Sequence, residues 1–271
     1  MKPMEVNNFR KHLKIYWQLI KFAAIRDMTY RLNFFLEWLV EFGYVLTGLI
    51  SLRIIFVNIS EVAGWNFHQM LILIGLGTVF SETILGLFFI FNLRKLPEKI
   101  TRGELDLILT KPLNSQFVVS MWRPYFTFIP SLIPGLILIY LGFTGGGYGF
   151  DPWLFLPFLT IFLSGLVIAY SVGMIITTLS VWLINATPLP ELAEHLLFLA
   201  ERPHSIFKGP FRIFFILVLP IAFMVSFPTQ TLMGDFIWWW VPAALALAAV
   251  FLKTSALFWR LALKHYQSAS S

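Results

Sequence analysis

The sequence predicts an all-α, polytopic membrane protein, and three observations carry the prediction. Hydrophobic residues make up 58% of the 271 positions and charged ones only 13%, about half the charged share of a soluble domain, and mean hydropathy is +0.77. The apolar residues gather into runs of about 18 or more, the length an α-helix needs to cross a hydrocarbon core about 30 Å thick. These runs do not alternate as the strands of a membrane barrel would. With no cysteine in the chain, disulfides and thiolate metal sites are excluded. The basic stretch up to Arg31 and the apolar run after it are both too long for a cleavable signal.

Before the first run, residues 9–26 place Phe9, Leu13, Tyr16, Ile20 and Ala24 on one helical face and Lys11, Lys14, Gln18 and Lys21 on another. That is the pattern of an interfacial amphipathic helix on the inner leaflet, and a soluble helix packed on a partner shares it. Six spans follow, at about 33–57, 67–91, 117–141, 153–183, 212–228 and 236–259. Span one carries Glu37 and Glu41, four apart on one face near its inner end. Arg53, near its outer end, snorkels outward.

Span two carries Glu82 about 22 Å from its start at 1.5 Å per residue. An ionisable group at that depth is costly, so Glu82 lines either a substrate path or a subunit interface. Arg123 enters span three at the level of Glu37 and Glu41, forming with them a gate or an interfacial charge cluster. Span four exceeds one straight crossing and so tilts or runs on into the cytosol. Span five is interrupted by Pro220, which frees a backbone carbonyl and permits a kink, either a gating hinge or a static bend. Span six begins at the aromatic belt Trp238–Trp240. Lys253 lies about 25 Å from its outer end, where it either pairs with Glu82 or snorkels inward.

Basic residues set the orientation. Arg10, Lys11, Lys14, Lys21, Arg26 and Arg31 precede span one, Arg94, Lys95, Lys99, Arg102 and Lys111 follow span two, Arg202, Lys208 and Arg212 flank the fourth loop, and Arg260 and Lys264 follow span six. Loops 58–66, 142–152 and 229–235 contain no Lys or Arg, so both termini are expected to be cytosolic. This asymmetry accounts for the net charge of +6, and nucleic acid is not an expected partner. Two cytosolic helices are expected in the loops. One lies in 97–114, where Thr101 and Glu104 have capping-box spacing that starts a helix near Arg102 and Lys111-Pro112 ends it. The other spans 188–202 and stops before Pro203. No repeat or linker divides the chain, so residues 1–271 read as one membrane domain.

Catalytic signals are missing. A P-loop needs G-x-x-x-x-G-K-[ST], and the one Gly-rich run, 145–149, has no following lysine and lies on the outer side. There is no H-E-x-x-H or paired aspartate motif. Glu191 and His195 are four apart with Glu194 and His204 nearby, so a metal site is conceivable. Without a motif, however, the segment reads as an amphipathic cytosolic helix. No catalytic residue, metal or bound cofactor is expected.

"ITRGELDLILTKPLN" (100–114) resembles the stretch between spans two and three of the type-2 ABC exporter permeases, which often reads G-E-L-D and then K-P-x-N, at Gly103, Glu104, Leu105, Asp106, Lys111, Pro112 and Asn114. Residues 201–228 resemble the same family at Arg202-Pro203, Ile206-Phe207, Gly209, Arg212, Pro220, Ala222-Phe223 and Phe227-Pro228, with His204 a departure toward a more polar residue. The resemblance implies a permease of an ATP-driven exporter in a bacterial plasma membrane. Its coupling helix, with Arg102, Glu104, Asp106 and Lys111, would dock a separate ATPase that holds the ATP and Mg. Lys11, Lys14 and Lys21 would lie against the membrane and the same ATPase. Two ATPase copies and a second permease, identical or related, are the implied partners, besides membrane lipids. Spans one, two and five would line the route, with Glu82 and Pro220 contributing.

Acidic groups in the spans favour a cationic or amphipathic small substrate, and lipids and polymers stay open. The alternative is an ion-coupled carrier using Glu82 and Lys253, which would often show an internal repeat. A purely structural membrane subunit is a third reading.

Overall fold

In the computed structural model, residues 9–29, 31–183 and 186–266 are described, without the side chains of 9–14, 28, 31, 33 and 34. Among them the chain is helical, with an isolated β-bridge between Val62 and Trp65. α1 (Phe9–Thr29) lies beside the inner connections, where Arg26 donates to the Pro124 carbonyl and Asp27 accepts from the Phe126 N–H. Lys21 is exposed, whereas the side chains of Lys11 and Lys14 are outside the described set. α2 (Arg31–Asn58) is the first span and buries almost none of its surface within the chain.

α3 (Phe67–Ile84) starts at a capping box in which Asn66 accepts from the Gln69 N–H and the Asn66 N–H donates to the Gln69 side chain. It continues inward as a π-helical turn, Leu85–Phe89. α4 (Leu96–Thr101), α5 (Glu104–Leu109) and α6 (Ser115–Met121) fill the inner connection before the third span, α7 (Phe128–Gly146). That span therefore begins at Phe128, not at 117. Pro124 disfavours helix at Arg123, and Asn92 holds the break. Its side chain accepts from the Arg123 N–H at 2.9 Å and donates to the Leu87 and Arg123 carbonyls, while the Tyr125 N–H donates to Gly86.

α8 (Pro152–Thr178) and the last span, α12 (Trp240–His265), pack side by side in parallel. Beneath them α6 joins a buried polar knot. Gln116 donates to Tyr170 and Ser255, Ser120 meets the Tyr170 hydroxyl, and Trp259 donates to Ser115. α3 and α7 approach through Gly75 and Gly135, as small residues allow between membrane helices.

The largest difference from the sequence expectation lies between α8 and α12. The segment expected as a cytosolic helix, 188–202, instead packs on α8, meets α3 at Gly77 and Ser81, and leads on toward the outer end of the bundle. At the inner end, α9 (Leu189–Phe198) is held by Arg94, which donates to both Glu194 carboxylate oxygens at 2.9 and 2.5 Å. Further along, Ser81 donates to Glu201 at 2.5 Å. At the outer end, Trp65 donates to Ser205, which donates to the Ala63 carbonyl. The ten α-helical residues and the tighter turns up to Ile206 cover roughly 30 Å. This is the crossing between α8 and the outer side.

The stretch expected as span five, 212–228, is consequently a re-entrant segment that begins and ends outside. α10 (Gly209–Ile213) continues as a π-helical turn to Val218, the chain bends by 62°, and α11 (Ser226–Leu232) leads to the outer start of α12. Phe223 and Met224 press against Gly165 of α8, where a Cβ would come within 2.8 Å of their backbone. Among the described residues five helices, α2, α3, α7, α8 and α12, are long and apolar enough to cross a membrane, and counting the polar crossing as a sixth span leaves both ends of the described chain on the inner side.

Because the chain has no cysteine, this topology is directly testable. Lys208→Cys should react with a membrane-impermeant maleimide on intact cells, and Glu98→Cys only after permeabilisation. A Lys208→Cys protected in intact cells would restore the cytosolic loop.

Candidate functional site

The inner surface is built around one glycine. α4 and α5 meet at Gly103, whose φ of 71° is the left-handed conformation glycine adopts without strain. The capping box expected from Thr101 and Glu104 is absent. Thr101 closes α4 by donating to the Pro97 carbonyl, and α5 starts at Glu104 behind Gly103. Leu105 is fully buried and anchors α5 to the core, while Glu104 and Leu107 are exposed, Leu107 at 69%.

The four residues expected at a coupling surface do share this inner face, but they are not equally free. Arg102 pairs with Glu98 at 2.7 Å across one helical turn, and Lys111 stands 4.1 Å over the Trp122 ring. Asp106 is the electrostatic neighbour of Tyr266 just past α12, whose phenol is raised by burial and then by that carboxylate. Lys99, behind them, has its ammonium lowered chiefly by burial, with Glu104 opposing and Arg123 and Lys111 adding to the effect. Leu107 escaped notice in the sequence because one leucine among several carries no sign of which face is buried.

Inside the bilayer, an acidic face connects three spans. Glu82 of α3 has Glu41 of α2 and Glu201 of the polar crossing as electrostatic neighbours, and Glu37 accepts from the Tyr125 hydroxyl. Tyr125 lies in the connection before α7, and its phenol is raised by burial first and by Glu37 second. Gly77 leaves the room Glu201 occupies, since a Cβ there would stand 3.1 Å from the Glu201 Cγ. Glu201 is not among the residues that carry the resemblance to the exporter permeases, and in the sequence it reads only as one more carboxylate of a cytosolic helix.

Two expected members do not join this face. Arg123 lies in the connection ahead of α7, its guanidinium 5.6 Å from the Phe91 ring. Lys253 is exposed on α12, which packs on α8, and among the described residues no ion pair joins it to Glu82. Pro220 is not inside a straight span. It sits in a tight turn with φ −72° and ψ 59°, the Ile221 N–H donating to the Leu219 carbonyl at 2.5 Å, an inverse γ-turn. No group of three or more metal-ligating side chains is present among the described residues.

A family model described as ABC-2 family transporter protein matches residues 42–270. The chain belongs to the ABC-2 transporter family. No curated protein and no solved structure matches it. The ABC-2 protein is thus a multi-pass membrane component of an ABC transporter, a permease of a family that generally works with an ATPase subunit. The membrane component of this family is not itself the catalytic part.

Proposed function

We propose that this ABC-2 permease forms half of the translocation route of an ATP-driven exporter in a bacterial plasma membrane, docking a separate ATPase on the α4–α5 face. The observation that carries the proposal is Leu107, an exposed leucine on a helix nailed to the core by Leu105 and flanked by Glu104 and Arg102. An apolar centre with a charged rim suits a protein interface. Two ATPase copies, holding ATP and Mg, would act on two permeases. The long uncovered α2 supports a second permease, identical or related, as its neighbour. Glu41, Glu82 and Glu201 would line the route from α2, α3 and the polar crossing, favouring a cationic or amphipathic small molecule or a lipid as substrate. The ion-coupled carrier draws no support from an ion pair, since among the described residues none joins Lys253 to Glu82.

The test is affinity purification of the tagged permease from its native host in mild detergent, with ATPase assay and identification of bound chains. A stoichiometric P-loop ATPase is expected to co-purify. Glu104→Lys with Leu107→Asp should reduce its recovery at least about tenfold, as loss of an interface hot spot does. A permease that comes down alone, stable and without ATPase, would refute the docking reading.

A further inference from the structure

A cavity of about 690 Å³ opens on the outer side between the re-entrant segment and the start of α12, within the size range of small-molecule sites. Its wall carries both signs of charge. Arg212 comes from α10 and Asp235 from the loop after α11, and Gln230, His204, Ile216 and Trp239 complete the mixture. Among the described residues neither Arg212 nor Asp235 is in an ion pair, and both are exposed.

The framework is rigid on its inner side. Trp240 is buried and stacks on Phe227 with centroids 4.3 Å apart and planes 6° from parallel. Ser226 accepts from the His204 N–H and donates to the Arg202 carbonyl. Asp235 is set by its own N–H donating to the Gln230 carbonyl at 2.9 Å, after Gly234 turns the chain at φ +98°. The His204 Nδ1 is buried without a hydrogen-bond partner, and a buried polar atom of that kind is costly to leave unmet.

The chemistry of the wall selects a class of ligand. An unpaired guanidinium suits a phosphate, whereas an unpaired carboxylate beside an indole suits an ammonium group. Apolar Ile216 and the exposed Phe211, Ile213 and Leu217 of the same segment continue the surface toward lipid. Trp238 and Trp239 place the mouth at headgroup depth. We propose that this cavity holds the headgroup of a zwitterionic phospholipid of the outer leaflet, its phosphate at Arg212 and its ammonium at Asp235. The inference goes beyond the transport reading and rests on the outer-side geometry alone.

The test uses the full-length permease in nanodiscs made mainly of phosphatidylglycerol, doped with a phosphatidylethanolamine probe carrying a photoreactive group near the glycerol. Cross-linked peptides are then mapped by mass spectrometry. Labelling is expected to concentrate in 204–240. Unlabelled phosphatidylethanolamine or phosphatidylcholine should reduce it about fivefold or more, the weight of one charge near a membrane surface, while added phosphatidylglycerol should leave it nearly unchanged. Arg212→Gln should lower labelling by a similar factor, and Asp235→Asn should abolish the preference over phosphatidylglycerol while a phosphatidylglycerol probe still labels the site. Equal competition by phosphatidylglycerol on the unaltered chain would overturn the proposal without recourse to any variant. So would labelling no denser at 204–240 than along α2, which would mean annular lipid only.

Discussion

Gly75→Val is expected to lower the thermal stability of the permease sharply, while Gly43→Val leaves it unchanged. A Cβ on Gly75 would lie 2.6 Å from the Gly135 carbonyl oxygen and 2.9 Å from both the Ile139 nitrogen and its Cγ1. The converse substitution at Gly135 meets the Gly75 carbonyl at 2.7 Å. Three of these four obstacles are backbone atoms, so no rotamer change relieves them and the helices must separate. Lipid tails solvate an apolar helix as well as another helix does, so in the bilayer association depends on close packing. Overpacking of this kind costs about 1–3 kcal/mol or more, a large share of a stability of about 5–15 kcal/mol. Gly43 on α2 has nothing within 4 Å of its Cβ position, and a surface change of that sort stays within about 0.5 kcal/mol. Fluorescence-detected size exclusion after graded heating measures both. If α2 is the seam with a second permease, Gly43→Val should also shift the assembly toward single permeases at unchanged thermal stability. Equal melting of Gly75→Val and the unaltered protein would refute the α3–α7 packing.

The second large effect is expected at Arg94. Its guanidinium grips both oxygens of Glu194, whose side chain is 7% exposed against 45% for Arg94. The bond to Glu194 raises the Arg94 pKa despite partial burial. Arg94→Ala leaves a carboxylate buried without its partner, a loss of about 3–5 kcal/mol in general, and water reaching the half-exposed arginine side places it near the lower figure. Arg94→Met with Glu194→Leu should recover most of the loss, because the buried charge disappears with its partner. Thermal unfolding of the unaltered protein, Arg94→Met, Glu194→Leu and the double variant closes the cycle and gives the coupling. A double variant no more stable than Arg94→Ala would mean that the pair does not hold the polar crossing against α3.

Hydropathy made the strongly apolar crossings legible, because α2, α3, α8 and α12 each offer one long apolar run close to the expected limits. It misplaced the start of α7 because Val118 and Val119 are apolar for a different reason, being core residues of α6. It missed the polar crossing because Glu191, Glu194, His195, Glu201 and Arg202 lower its hydropathy. Two of those carboxylates meet partners 120 and 100 residues away in sequence, at Ser81 and Arg94, and no local pattern announces a partner at such a distance. The re-entrant segment took the place of that crossing because "FRIFFILVLPIAFMVSFP" is oily enough to span. Its bend at Pro220 was visible, but the side of the membrane it returns to was not. On the inner α4–α5 face the motif named Arg102, Glu104, Asp106 and Lys111 but not the contacts they make. Which of them stay free depended on Trp122 and Tyr266, which reach Lys111 and Asp106 from outside the motif.

The polar crossing also constrains how the protein is made. Segments enter the bilayer from the translocon largely on their own hydrophobicity, and 189–206 has little to offer alone. Its partners Arg94, Ser81 and Trp65 are all synthesised earlier, so when the crossing emerges, α3 is already in place to satisfy it. Insertion of the fifth crossing is therefore an act of folding, and the order of elements along the chain is the order in which biogenesis can succeed.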